Sequence, residues 1–163
     1  MRAPTLTSIL VLGLAATTAH AGSCDAVYTA GIKTVQAPHH QVSTTTRGGK
    51  VTSSEAILAG GVEYVQSRGV WRRSATTAQA ALEAAQEKLK EQPDTCSPAG
   101  DATVDGQAVA VYRVRNNEFG TESEVRVLKS SGLLQGQTAK LPNGDRIESR
   151  YEYVNVQAPA GVP

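Results

Sequence analysis

Few residues in this chain combine a reactive type with a useful spacing. His39 and His40 are adjacent, ahead of a Thr-rich run. Neighbouring side chains on an extended strand point to opposite faces, so the two rings do not converge on one ion. No Cys or third His lies nearby to complete a metal site. They read as solvated loop histidines, with metal binding or acid–base work by His39 and His40 as the alternative. Asp101 and Asp105 flank a turn before a strand, and turn formation explains them better than paired-carboxylate catalysis. The G-x-S-x-G, H-E-x-x-H and phosphate-loop signatures are missing. The expectation is a protein with no catalytic residue, no metal and no cofactor.

The single Trp, Trp71, sits in Val70-Trp71-Arg72-Arg73. It reads as a core anchor with the arginines exposed, since Trp is mostly buried in folded proteins. The alternative places it at the mouth of a ligand cavity, with the Arg pair meeting an anionic lipid headgroup.

Cys24 and Cys96 are the whole cysteine set, and neither lies in a C-x-x-C motif, so redox catalysis has little support. Their meaning depends on compartment. Arg2, the apolar run Ile9–Ala16 and Ala19-His20-Ala21 together read as a signal peptide over residues 1–21, cleaved after Ala21. The run is too short to span a bilayer. Export to a periplasm or the exterior is therefore expected, and in that compartment a Cys24–Cys96 disulfide. Closing a loop of about 70 residues stabilises a fold by roughly 4 kcal/mol in the loop-entropy treatment. Two other states stay open: free thiols, or lipid on Cys24. Ala21-Gly22-Ser23 before Cys24 fits a lipoprotein box poorly.

These residues must be positioned by a small domain. The chain has 163 residues, 40% of them hydrophobic and 19% charged, with 16 Lys and Arg against 15 Asp and Glu. That balance excludes a disordered charged tail and leaves no charge excess to hold a phosphate backbone, so nucleic acid is not an expected partner. No later segment is apolar enough to cross a membrane. One domain over 22–156 is expected, followed by a flexible tail over 157–163.

Val27, Tyr28, Gly31 and Val35 recur near helical spacing, and Pro38 stops that helix. Residues 41–73 read as an antiparallel meander, with Gly60-Gly61 as a tight hairpin turn. A main helix is expected over 74–92, with Thr76 and Gln79 as a capping box. Its stripe is Ala78, Ala81, Leu82, Ala85 and Leu89, and Pro93 ends it. Strands follow over 108–115 and 122–128, and 133–140 is expected to pair with them. In 145–153, Ile147, Ser149, Tyr151 and Tyr153 face one side and charged residues the other, a sheet wet on one face. With aromatics at 4% of the chain, the core is thin. Either the helix lies very close to the sheet or the sheet keeps an apolar cavity.

The local texture has a likeness. It rests on Ser54-Glu55-Ala56-Ile57-Leu58, Gly60-Gly61-Val62-Glu63-Tyr64, Gly69-Val70-Trp71 with the helix behind it, Thr95-Cys96, the stretch 106–112, Lys129-Ser130-Ser131-Gly132-Leu133-Leu134 and the stretch 150–156. These segments resemble the LolA-like periplasmic lipoprotein-carrier superfamily and its exported bacterial relatives. The resemblance implies an α+β fold: a curved antiparallel sheet, a half-barrel, with one main helix and a short N-terminal helix on its concave face. It also implies a hollow for acyl chains or other apolar groups. Within such a hollow, periodicity nominates Leu82, Leu89, Tyr112, Ile147 and Tyr151 as lining, with Trp71 at the mouth. The expected function is non-enzymatic binding of a lipid or other hydrophobic small molecule. The alternative is an envelope protein–protein interaction module with a filled core.

Overall fold

The computed structural model describes residues 23–162. The signal peptide expected over 1–21 lies outside them. Helix α1 (Asp25–Gln36) leads into a meander of β1 (His39–Arg47), β2 (Lys50–Ala59), β3 (Val62–Ser67) and β4 (Val70–Arg73). Helix α2 (Ala78–Glu91) follows. A second meander then runs through β5 (Asp94–Val104), β6 (Gln107–Asn116), β7 (Glu122–Leu128), β8 (Leu134–Lys140) and β9 (Arg146–Glu152). All pairings are antiparallel, and the spatial order is β4-β3-β2-β1-β9-β8-β7-β6-β5. The two meanders thus join at a single seam, β1 against β9. The result is an open, curved antiparallel sheet with two helices, the α+β architecture expected.

Turn chemistry explains the meanders. Gly60 and Gly61 both hold positive φ, 59° and 77°, as a two-residue hairpin turn demands. Along β9, Arg146, Glu148, Arg150 and Glu152 are exposed while Ile147 and Tyr151 are half-buried and Ser149 is buried. The inner residues of β9 face the helices, since Tyr151 packs with Val125 and Leu134 against Ala30 of α1.

Three expectations need correction. The main helix starts at Ala78, and its cap is Thr77, whose hydroxyl accepts from the Ala80 amide at 3.1 Å. The Thr76–Gln79 box does not form; Gln79 donates to Glu83 instead. Asp101 lies inside β5, opposite Ala110, and only Asp105 stands in a turn, at positive φ. His39 and His40 are strand residues, not loop residues: His39 is buried, and His40 lies 2.9 Å from the Glu55 carboxylate. They do point apart.

The β5–β6 hairpin curls over the outer face, where the Asp105 carboxylate comes within 3.6 Å of Arg150 on β9. Val109 and Leu128 are opposite each other in the β6–β7 register on that outer side, and both are buried.

Candidate functional site

On the helix-facing side, buried apolar residues form two small clusters. Cys24, Tyr28 and Cys96 make one, with Leu89 of α2 packed against it; Ala30, Val125 and Leu134 make the other. Cys24 and Cys96 are joined by a disulfide, which fixes the start of α1 to β5. Gln92, the α2 C-cap in left-handed conformation, reinforces the joint: its side chain accepts from the Cys24 amide and donates to Asp25.

Between these clusters and α2 the fold is not filled. A cleft of about 510 Å³ opens between the helix pair and the sheet, within the range of small-ligand pockets. From α1 it is lined by Val27, Gly31 and Val35, and from α2 by Ala81, Ala84 and Ala85. Val114, Val125, Leu134 and Tyr151 form the floor. A Cβ placed on Gly31 would meet no atom within 4 Å, so the cleft reaches the α1 backbone. None of α2's residues is fully buried, although its apolar stripe is half-buried as expected.

One end of the cleft is polar. The Tyr28 hydroxyl donates to Asp94 at 2.8 Å and accepts from the Asp94 amide at 3.2 Å. Asn116 donates to the other Asp94 oxygen at 2.7 Å. Burial, then the Asp94 carboxylate, pushes the Tyr28 phenol far above its ordinary pKa, so Tyr28 stays a donor and Asp94 is fully engaged. Lys88 lines the same end. Deeper, the Thr34 hydroxyl accepts from the Leu134 amide at 3.0 Å, and Tyr153 donates to the Leu134 carbonyl. Burial raises the Tyr153 phenol to about 12. Burial also raises Tyr151, against whose ring His39 packs edge-on at 5.5 Å. Among the described residues no three His, Cys, Asp or Glu side chains form a metal-sized group. The arrangement can shed water from an apolar surface and offer hydrogen bonds at one end.

Of the six residues nominated for the lining, Tyr151 borders this cleft. Leu82 lines a separate shallow pocket of about 220 Å³ with Val35, Leu58 and Gly60-Gly61. Leu89 is taken up by the disulfide cluster. Tyr112 and Ile147 are half-buried, and neither borders the cleft. Trp71 is half-buried on β4, opposite Gln66 in register, which places it on the outer face of the sheet. The lining from α1 and the alanines of α2 was not nominated. Its signal was the Val27-Gly31-Val35 repeat, small residues facing a second small-residue stripe.

No protein-family model matches the chain, and no curated protein matches it. Solved structures do. The Pseudomonas aeruginosa MucA/MucB complex aligns over 83% of this chain and 59% of that one, at 13% identity and a TM-score of 0.54. MucB in complex with MucA(peri) aligns over 85% and 60%, at 16% identity and a TM-score of 0.53. With the open sheet and its helix pair, this likeness decides the fold. The fold is that of MucB. This chain spans about three fifths of the MucB chain. A LolA superfamily protein from Nitrosomonas europaea also aligns, over 80% of this chain and 91% of that one, at 6% identity and a TM-score of 0.32. No helix among the described residues is long and apolar enough to cross a membrane.

Proposed function

We propose that this is an exported, non-enzymatic binding protein that holds a lipid or other hydrophobic ligand between α1, α2 and the sheet. The observation that carries the reading is the unfilled cleft of about 510 Å³ beneath a helix that buries none of its own residues. Apolar burial would drive binding, at about 25 cal/mol per Å² removed from water. The polar end at Asn116, Tyr28 and Lys88 would orient a headgroup. The Cys24–Cys96 disulfide supports export; cleavage after Ala21 and a single domain over 22–156 belong to the same proposal.

The test is native mass spectrometry of protein exported to a periplasm and purified without detergent. A discrete added mass that extracts into organic solvent is expected from the wild type. It should vanish from Gly31→Phe, whose ring would enter the cleft, while circular dichroism stays unchanged. A bare wild-type mass overturns the ligand reading and leaves the second one, a protein-interaction module. The MucB structures, solved with MucA, favour that second reading.

A further inference from the structure

We propose that the β1–β4 wing docks an acidic, extended polypeptide segment, adding it as a strand along the open edge of β4. This inference stands apart from the cleft and holds whether or not the cleft is filled.

The two edges of the sheet are built differently. At one edge, β5 carries Pro98, which has no amide hydrogen to donate, and a register break between Pro98 and Gly100. Its Asp101 is engaged by Lys129. Those features discourage pairing with another strand. The other edge has none of them. Residues 39–73 contain no proline, and the pairings of β1 with β2, β2 with β3 and β3 with β4 run without a break. The edge is also stepped. β4 is outermost, and β3 covers β2 only through Glu55–Ala59. Lys50–Ser54 therefore pair with β1 on one side and with no strand on the other, and all five are exposed. β4 has β3 on one side and no described strand on the other, so an added strand takes up its free main-chain groups, while Lys50–Ser54 lie two strand positions inward of that ladder.

Charge identifies the occupant. The chain is nearly neutral, but its charges are segregated. Residues 39–73 hold five Lys and Arg against two Glu, a net charge of +3. The other described residues hold ten Lys and Arg against thirteen Asp and Glu, a net charge of −3. Lys50, Arg68, Arg72 and Arg73 follow the stepped edge, are all exposed, and take part in no ion pair among the described residues. Such a row repels the same edge of a second copy and attracts a carboxylate-rich strand. Arg73 and Trp71 flank the edge on the outer face, and Arg72 and Val70 on the helix-facing side. Val70 is 52% exposed, giving apolar contact at the start of the edge. An anionic bilayer would meet the same cations but could not satisfy the strand's amides and carbonyls in register.

Trp71 is the only Trp in the chain, so its fluorescence reports on β4 directly. The probes are three synthetic peptides: alternating Glu and Val, alternating Lys and Val, and the Glu–Val peptide N-methylated at alternate amides. The Glu–Val peptide should shift Trp71 emission and perturb the amides of 70–73 in NMR spectra. Binding should weaken about tenfold in the double variant Arg72→Glu/Arg73→Glu, whose positions are exposed and whose fold is checked by circular dichroism. The Lys–Val and N-methylated peptides should not bind. The Gly31→Phe variant should bind the Glu–Val peptide as the wild type does. Four results overturn the proposal: no binding of the Glu–Val peptide, equal binding of its N-methylated form, perturbations elsewhere on the sheet, or binding confined to phosphatidylglycerol vesicles.

Discussion

The two helices are similar in length and both amphipathic, yet the fold uses them differently. Helix α1 buries Tyr28, Ala30 and Thr34, and each is tied to the sheet by packing or hydrogen bonds. Helix α2 buries none of its residues and packs chiefly on α1. Its alanines present little area, so it covers the sheet without sealing it. Amphipathicity shows which face of a helix turns inward; side-chain size decides whether that face closes a core or roofs a cleft. Helix α1 is thus the wall of the cleft tied to the sheet, and α2 the wall held mainly through α1.

The comparison breaks most readily at the disulfide. Replacing Cys24 and Cys96 by Ser opens a bridge spanning 72 positions and should cost about 4 kcal/mol, read as a lower denaturation midpoint. A loss below about 1 kcal/mol would show that hydrogen bonds and packing hold α1 by themselves. Leu89→Ala comes next, at about 2 kcal/mol, because Leu89 is the apolar side chain through which α2 packs on the disulfide cluster. A negligible loss would mean α2 rests entirely on α1.

Tyr28→Phe should cost about 1 to 2 kcal/mol by removing both Asp94 contacts. It should also change the alkaline limb of stability. Tyr28 and Tyr153 have raised folded pKa values, so their contribution is complete below the unfolded value of 10.0. It falls away as pH rises through that value towards about 12 for Tyr153. Stability measured between those limits should fall less steeply with pH in Tyr28→Phe than in wild type. The smallest effect is a gain. Gly31→Ala should stabilise by about 0.5 to 1 kcal/mol through helix propensity, since the added methyl meets nothing. A destabilised Gly31→Ala would show that the cleft closes in solution.

Much of the fold was legible because local chemistry carried it. Gly60-Gly61 marked a hairpin, the alternation over 145–153 marked β9, and the Ala-rich stripe marked α2's inner face. β5 was hidden because Pro98, Gly100 and Asp101 break the strand pattern, as suits an edge. The curl that brings Asp105 to Arg150 left no local mark. The site was less legible than the fold. Thin packing announced either close contact or a cavity, but not which side chains would meet there. Large residues such as Leu82, Leu89 and Trp71 drew attention, while Gly31 and the alanines that leave the space did not. His39 looked solvated because nothing local reveals that Tyr151 and Tyr153 will enclose it.

The seam between β1 and β9 also bears on how the chain is made. Polypeptides emerge N-terminus first, so β1 through β4 exist well before β9. Until β9 arrives, the first meander has a temporary border along β1, a sticky template in many nascent sheets. Here that border reads Val42-Ser43-Thr44-Thr45-Thr46, a hydroxyl-rich row that tolerates water while it waits. The hydrogen bond of 2.8 Å between Ser43 and Ser149 closes it. The least apolar strand of the inner face therefore lies where the growing chain must stay unpaired longest.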